Sequence, residues 1–275
     1  MNYRHGYHAG NFADVFKHAV LARALTLMAA KDAPYRAIDT HAGAGRYALD
    51  SQQALATGEF NDGIRRLLEN LPRGEAFELL KPYLGAVEKY APAYPGSPLL
   101  MQALARPRDA LVFCELHPEE YARLEKAVGR DRRAKCMALD GWTALKSLLP
   151  PKERRGVILI DPPYEDPAEF RRAADGIEEA MRRFATGVYL LWYPVKNRHD
   201  TDAAIRRIQR AAQKPCLRLE LEVAKPVADG PLTATGLLVL NPPWKLKEEC
   251  AVMLPALQHA LGATQRGAVR IGETG

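Results

Sequence analysis

The stretch Val157-Ile158-Leu159-Ile160-Asp161-Pro162-Pro163-Tyr164 restricts what this chain can fold into more than any other. Four consecutive large apolar side chains point alternately to both faces of a strand, so both faces must be covered. That marks a parallel strand inside an α/β layered sheet. The run then stops on an acid, two prolines and an aromatic. Open α/β sheets bind their ligands outside the carboxyl ends of such strands. The prolines fix φ and remove two backbone donors, leaving a stiff loop whose carbonyls are free to accept. Asp161 adds a second acceptor, and Tyr164 adds a flat face for stacking. Two acceptors beside a ring suit a planar group that carries an NH2, such as the Watson–Crick edge of adenine. Pro and Asp are also ordinary turn formers, which accounts for the prolines but not for the full quartet.

The remaining chain alternates helix and strand. Asn11 reads as an N-cap with Asp14 at the third helical position, and the spacing predicts a helix to about residue 31. Strands are predicted at 35–40, 110–115, 134–140, 157–161 and 187–193, with helices at 117–128, 167–183 and 202–213. Residues 217–223 alternate apolar and charged, as a half-exposed strand does. A loop with Pro226, Asp229, Gly230 and Pro231 joins them to the apolar run 236–240 without a helix, which predicts an antiparallel pair. Residues 50–94 break the alternation, with helices at 64–69 and 75–90. Ser97-Pro98 reads as a cap followed by a first-turn proline, opening a helix over 99–105. A chain of 275 residues is long enough for one large domain with an insertion. The expected division is 1–49 with 95–275, and an inserted helical subdomain over 50–94.

Several classes are disfavoured. Cys114, Cys136, Cys216 and Cys250 lie far apart, with neither zinc spacing nor a disulfide framework. The first residues lack the apolar core of a signal peptide, and no apolar run approaches ~18 residues. A cytoplasmic protein without a membrane span is expected. His5, His8, His18 and His41 have no cysteine or clustered acid beside them, so no metal is expected. The net charge of +6 favours a polyanionic partner without demanding one. Tyr3, Arg4, His5 and Lys17 read as RNA contacts, basic groups for phosphate and an aromatic for a base.

A second constellation, Asp39-Thr40-His41-Ala42-Gly43-Ala44-Gly45, follows the first strand. Glycines there let backbone approach a ligand closely. Glu115 ends the second predicted strand, where an acid can accept from ribose hydroxyls. Asp140-Gly141 ends the third and Asp161 the fourth. Each acid alone is as well explained as an N-cap, but four in a row beside a glycine loop exceed what capping needs. A nicotinamide-dependent oxidoreductase fits less well, because the third glycine of its fingerprint is missing. A non-enzymatic RNA-binding protein remains as an alternative.

Asp161-Pro-Pro-Tyr164 together with Ala42-Gly-Ala-Gly45 resembles the S-adenosylmethionine-dependent adenine-N6 methyltransferases. The blocks 3–18, 40–47, 94–98, 115–118, 191–194 and 241–245 narrow the resemblance to one family. It is the bacterial 23S ribosomal RNA adenine-N6 methyltransferases, which modify adenine 2030 in rRNA numbering. The resemblance implies a Rossmann-like, seven-stranded class I methyltransferase sheet with a small helical subdomain at 50–94. It implies that His18, His41, Gly43, Ser97, Glu115, Asp140, Gly141 and Asp161 line the donor site. Asp161, Pro162 and Tyr164 would form the catalytic loop, and Tyr3 would touch RNA. The implied partner is 23S rRNA; a monomer is expected, and a DNA adenine-N6 methyltransferase is the competing enzyme. Asn241-Pro242-Pro243-Trp244 has a similar composition and competes for the catalytic role. Its strand is reversed in the predicted pair, so it should end at the opposite edge of the sheet from the glycine loop.

Overall fold

The protein is described by a computed structural model over residues 5–225, 230–262 and 267–274. Tyr3, Arg4, Pro226 and Asp229 lie outside these residues. Helix α1 (Phe12–Ala29) starts where the Asn11 side chain accepts from the Asp14 amide at 2.9 Å, as the capping pattern predicts. Strand β1 (Arg36–Asp39) then enters the sheet between β4 (Ala110–Cys114) and β6 (Gly156–Ile160), parallel to both. Strand β5 (Ala134–Met137) continues beyond β4, and β7 (Val188–Pro194) beyond β6, all parallel. Strand β9 (Ala234–Leu240) runs antiparallel to β7 and to β8 (Cys216–Glu222), which confirms the predicted reversed pair.

The seven expected strands are therefore present, but the sheet has eight. Strand β10 (Ala268–Thr274) pairs antiparallel with β8, giving the order β10-β8-β9-β7-β6-β1-β4-β5. The physical reason lies in edge protection: without β10, β8 would expose a row of unpaired backbone groups. Val269 and Ile271 also pack against the core beneath it.

Strand residues alternate between two cores, one on each face of the sheet. Ala37, Val157 and Leu159 face α1, α4 (Glu75–Tyr90), α5 (Ser97–Leu104) and α10 (Leu246–Leu261). Ile38, Ile158 and Ile160 face α7 (Gly141–Ser147), α8 (Glu169–Arg183) and α9 (Arg198–Ala212). Helix α6 (Pro118–Val128) packs beside β5. Between β2 (Arg46–Ala48) and β3 (Ala93–Pro95), which pair antiparallel, lie α2 (Gln52–Thr57), a π-helical turn (Asn61–Arg65), α3 (Arg66–Glu69) and α4. Gly96 caps α5, so Ser97 is its first helical residue and not the cap that the sequence predicts. Among the described residues, no helix is long and apolar enough to cross a membrane.

The Asn241 loop ends where the reversed strand predicts. Asn241 Nδ2 donates to the carbonyls of Ala185 at 3.0 Å and Gly187 at 2.8 Å, just before β7 begins. That is the edge opposite Asp161.

Candidate active site at the carboxyl edge of the sheet

Parallel strands end on one edge, so the loops after β1, β4, β5, β6 and β7 converge there. They line a cavity of about 940 Å³, joined by residues of α1 and of the segment before it. His18, His41, Gly43, Ser97, Glu115, Asp140, Gly141, Asp161, Pro162 and Tyr164 all stand on its wall, as do His5 and Lys17.

The glycine loop fits a close ligand. Gly43 has φ +60°, and a Cβ there would sit 2.3 Å from the Tyr47 hydroxyl. Its amide donates to Glu115 Oε2 at 2.8 Å, and the His117 amide donates to Oε1 at 2.7 Å. Glu115 is thereby fixed in place, and each oxygen keeps a further lone pair for a donor. Burial raises its carboxyl above the ordinary value. A Cβ at Gly141 would lie 2.5 Å from the His41 ring and 2.6 Å from the Thr40 carbonyl. Only a residue without a side chain leaves that approach open. Asp140 caps α7 by accepting from the Thr143 amide at 2.8 Å, so the capping role holds while the residue still lines the cavity.

Burial shapes the titratable groups. It pushes His41 down to about 4 and His18 down to about 3, which leaves both rings neutral near neutral pH. His18 Nδ1 lies 2.8 Å from the Tyr94 hydroxyl, and its ring stacks on Tyr94 at 5.7 Å. Burial pushes Asp39 up to about 7 against the pull of Ser97 and of the His41 amide. The Ser97 hydroxyl stands close, yet Asp39 Oδ2 keeps no regular hydrogen bond among the described residues.

Asp161 meets a partner from far away in the chain. Lys17 on α1 is 4% exposed, and its Nζ lies 2.5 Å from Asp161 Oδ2 and 2.8 Å from Asp14 Oδ1. Burial pulls the Lys17 ammonium down, but the two carboxylates raise it above the usual lysine range. Burial likewise pulls Asp14 up, but the charges of His5 and Lys17 hold it well below the usual carboxylate range. Asp14 Oδ2 also accepts from the Gly10 amide at 2.9 Å and lies 2.9 Å from His5 Nε2. Lys17 thus faces inward on two carboxylates rather than outward, where a phosphate contact would stand. Asp161 Oδ1 and the Pro162 carbonyl have no hydrogen-bond partner among the described residues.

Tyr164 adopts φ +51°, and its hydroxyl donates to the Trp192 carbonyl at 3.0 Å. Its ring lies 4.7 Å from Phe170 and 5.8 Å from Trp192, so an aromatic wall flanks Asp161. Sequence reasoning missed two tryptophans of the site and the role of Asp14. Trp142 sets its ring edge against His41 at 5.5 Å and donates to Glu169 at 3.1 Å. Trp192 donates to Thr235 Oγ1 at 2.7 Å and lies under Lys17. Asp14 was legible only as a capping residue. The signal for both tryptophans was position, one directly after Asp140-Gly141 and one at the end of the fifth predicted strand. Among the described residues, no group of three or more His, Cys, Asp or Glu could hold a metal ion.

Comparison with known proteins places this geometry. Residues 32–272 match the family model described as ribosomal RNA large subunit methyltransferase D, RlmJ. The Escherichia coli (strain K12) ribosomal RNA large subunit methyltransferase J is 41% identical over 268 residues, covering 95% of this chain and 94% of that protein. The Haemophilus influenzae protein of the same name is 38% identical over 267 residues, with 95% and 94% covered. A solved Legionella pneumophila structure superimposes with a TM-score of 0.87 at 34% identity, covering 96% of this chain and 98% of that one.

Proposed function

The chain belongs to the RlmJ family of ribosomal RNA large subunit methyltransferases, and we propose from that premise that Asp161 is the centre of an adenine-N6 methyl transfer to 23S rRNA, at adenine 2030. The methyl donor is S-adenosylmethionine, and the cavity wall fits it. Glu115, just after β4, would accept from the ribose hydroxyls, and Asp140, in the loop after β5, would accept from the adenine amino group. Gly43 and Gly141 keep backbone within reach. Once bound, the donor supplies a methyl group on a cationic sulfonium centre. His18 and His41, neutral by burial, add no positive charge beside it.

The observation that carries the reading is the state of the Asp161 loop. The adenine amino group is a poor nucleophile, because its lone pair is delocalised into the ring. It has two N–H bonds to give. Lys17 occupies Asp161 Oδ2, while Oδ1 and the Pro162 carbonyl keep free lone pairs in the same loop. Accepting both N–H bonds fixes the amine and stabilises positive charge as it grows on nitrogen. The Tyr164 wall stacks the extruded base. Acceleration then comes from alignment and charge placement.

RNA rather than DNA follows from the family, since the adenine edge is the same in both. We treat the chain as a cytoplasmic monomer. The β2–β3 clasp supports reading 50–94 as an inserted helical subdomain on the domain formed by 1–49 and 95–275. The test is incorporation of labelled methyl from S-adenosylmethionine into 23S rRNA, with duplex DNA as the competing acceptor. Transfer to DNA alone, or to neither, contradicts the reading.

A further inference from the structure

An extruded adenine reaches Asp161 only if its own backbone is held at the cavity mouth, and that calls for a cation free to meet a phosphate. Among the described residues, four lysines and arginines stand on the cavity wall: Lys17, Arg66, Arg172 and Lys196. Lys17 is buried on Asp14 and Asp161. Arg66 pairs with Asp62 and donates to the Leu261 carbonyl at 3.2 Å. Arg172 pairs with Asp166 at 2.8 Å and Glu169 at 3.4 Å. Lys196 is exposed and has no hydrogen bond or ion pair among the described residues. A phosphate can bind it without first breaking a carboxylate contact.

Its place in the fold also fits. Leu191 on β7 pairs with Ile160 on β6, so the next residue, Trp192, is level with Asp161. Lys196 follows four residues later, two past the end of β7. Four residues span at most roughly 13 Å of chain. The lysine stem and the length of one nucleotide bridge such a separation. The rings of Tyr164 and Trp192, 5.8 Å apart, line the same cavity as Asp161 and Lys196 and offer a surface on which a base would stack.

Resting on the function proposed above, we infer that Lys196 binds a phosphate of the flipped nucleotide and so sets substrate position at the mouth of the site. The interaction is with the phosphodiester and carries no base specificity.

The test compares the full-length protein with Lys196→Ala and Lys196→Arg. Methylation of 23S rRNA is measured across a salt series, and adenosine and AMP binding are measured with S-adenosylhomocysteine present. In Lys196→Ala the KM for RNA should rise on the order of tenfold, as loss of a charge-assisted contact implies. The dependence of log affinity on log salt should become shallower by about one. AMP binding should weaken while adenosine binding holds, and Lys196→Arg should restore most of the RNA affinity. Unchanged melting temperature and donor affinity would show that the fold is intact. An unchanged KM and salt slope would overturn the inference, as would equal losses for adenosine and AMP. If the wild-type protein methylates no rRNA, the underlying function fails as well, so the two failures are distinguishable.

Discussion

Lys17 and Asp161 lie 144 positions apart in the chain, yet Lys17 Nζ sits 2.5 Å from Asp161 Oδ2 in the floor of the site. This contact ties α1 to the loop after β6 and leaves Asp161 Oδ1 without a hydrogen-bond partner among the described residues. Lys17 is a positioning residue in this arrangement. Its replacement by Met leaves Asp14 and Asp161 near each other with no cation between them. Breaking a buried pair of this kind costs about 3–5 kcal/mol. Lys17→Met should lower the denaturation midpoint accordingly and reduce turnover more than donor affinity. A variant with wild-type stability and turnover would show that the pair has no role.

Asp39 gives a pH dependence with a definite sign. Its folded value of about 7 lies above the ordinary 3.8, so between those values the folded chain holds a proton that the unfolded chain releases. Stability from this group is full below pH 3.8 and falls as pH rises, by up to about 1.4 kcal/mol per pH unit in that window. Asp39→Asn cannot titrate and should lose less stability than wild type between pH 5 and 7. Parallel melting curves for the two proteins across that range would contradict the assignment.

Glu115 holds the glycine loop through the Gly43 amide and lines the cavity, where we propose it accepts from the donor ribose. Glu115→Ala should weaken S-adenosylmethionine binding by on the order of 1–3 kcal/mol, with a smaller effect on RNA affinity. Titration calorimetry with the donor checks this, and unchanged affinity would remove Glu115 from the donor site.

Asn241 separates two loops of similar composition. Its side chain ties β9 to the carbonyls of Ala185 and Gly187, and its φ of +49° suits Asn better than a branched residue. Asn241→Ala should cost on the order of 1–3 kcal/mol of stability and leave methyl transfer by the folded protein in place. An inactive but fully stable variant would contradict the strand order argued here.

The parts of the fold that local pattern specifies were legible in the sequence. The apolar run before Asp161, the Asn11 cap, the glycine loop and the helix-free link between β8 and β9 each carry their own signal. Strand β10 carries little, because its alternation is limited to Val269-Arg270-Ile271 before Gly272 and Glu273, and the edge of β8 is what recruits it. Ser97-Pro98 has the composition of a cap, but the backbone at Gly96 takes that position. The roles of Lys17, Trp142 and Trp192 depend on contacts between distant elements. Lys17 is basic and near the N-terminus, so sequence alone assigns it to phosphate, whereas burial turns it onto Asp14 and Asp161.

We propose that the loop after β6 performs the transfer to adenine N6. Mapping the modified nucleotide after incubating 23S rRNA with S-adenosylmethionine tests it most directly, with wild type beside Asp161→Ala. The wild-type protein should yield N6-methyladenine at position 2030, and the folded Asp161→Ala protein should yield none. Full methylation by the Asp161→Ala variant, or a methyl group placed on another atom by the wild type, would contradict the account.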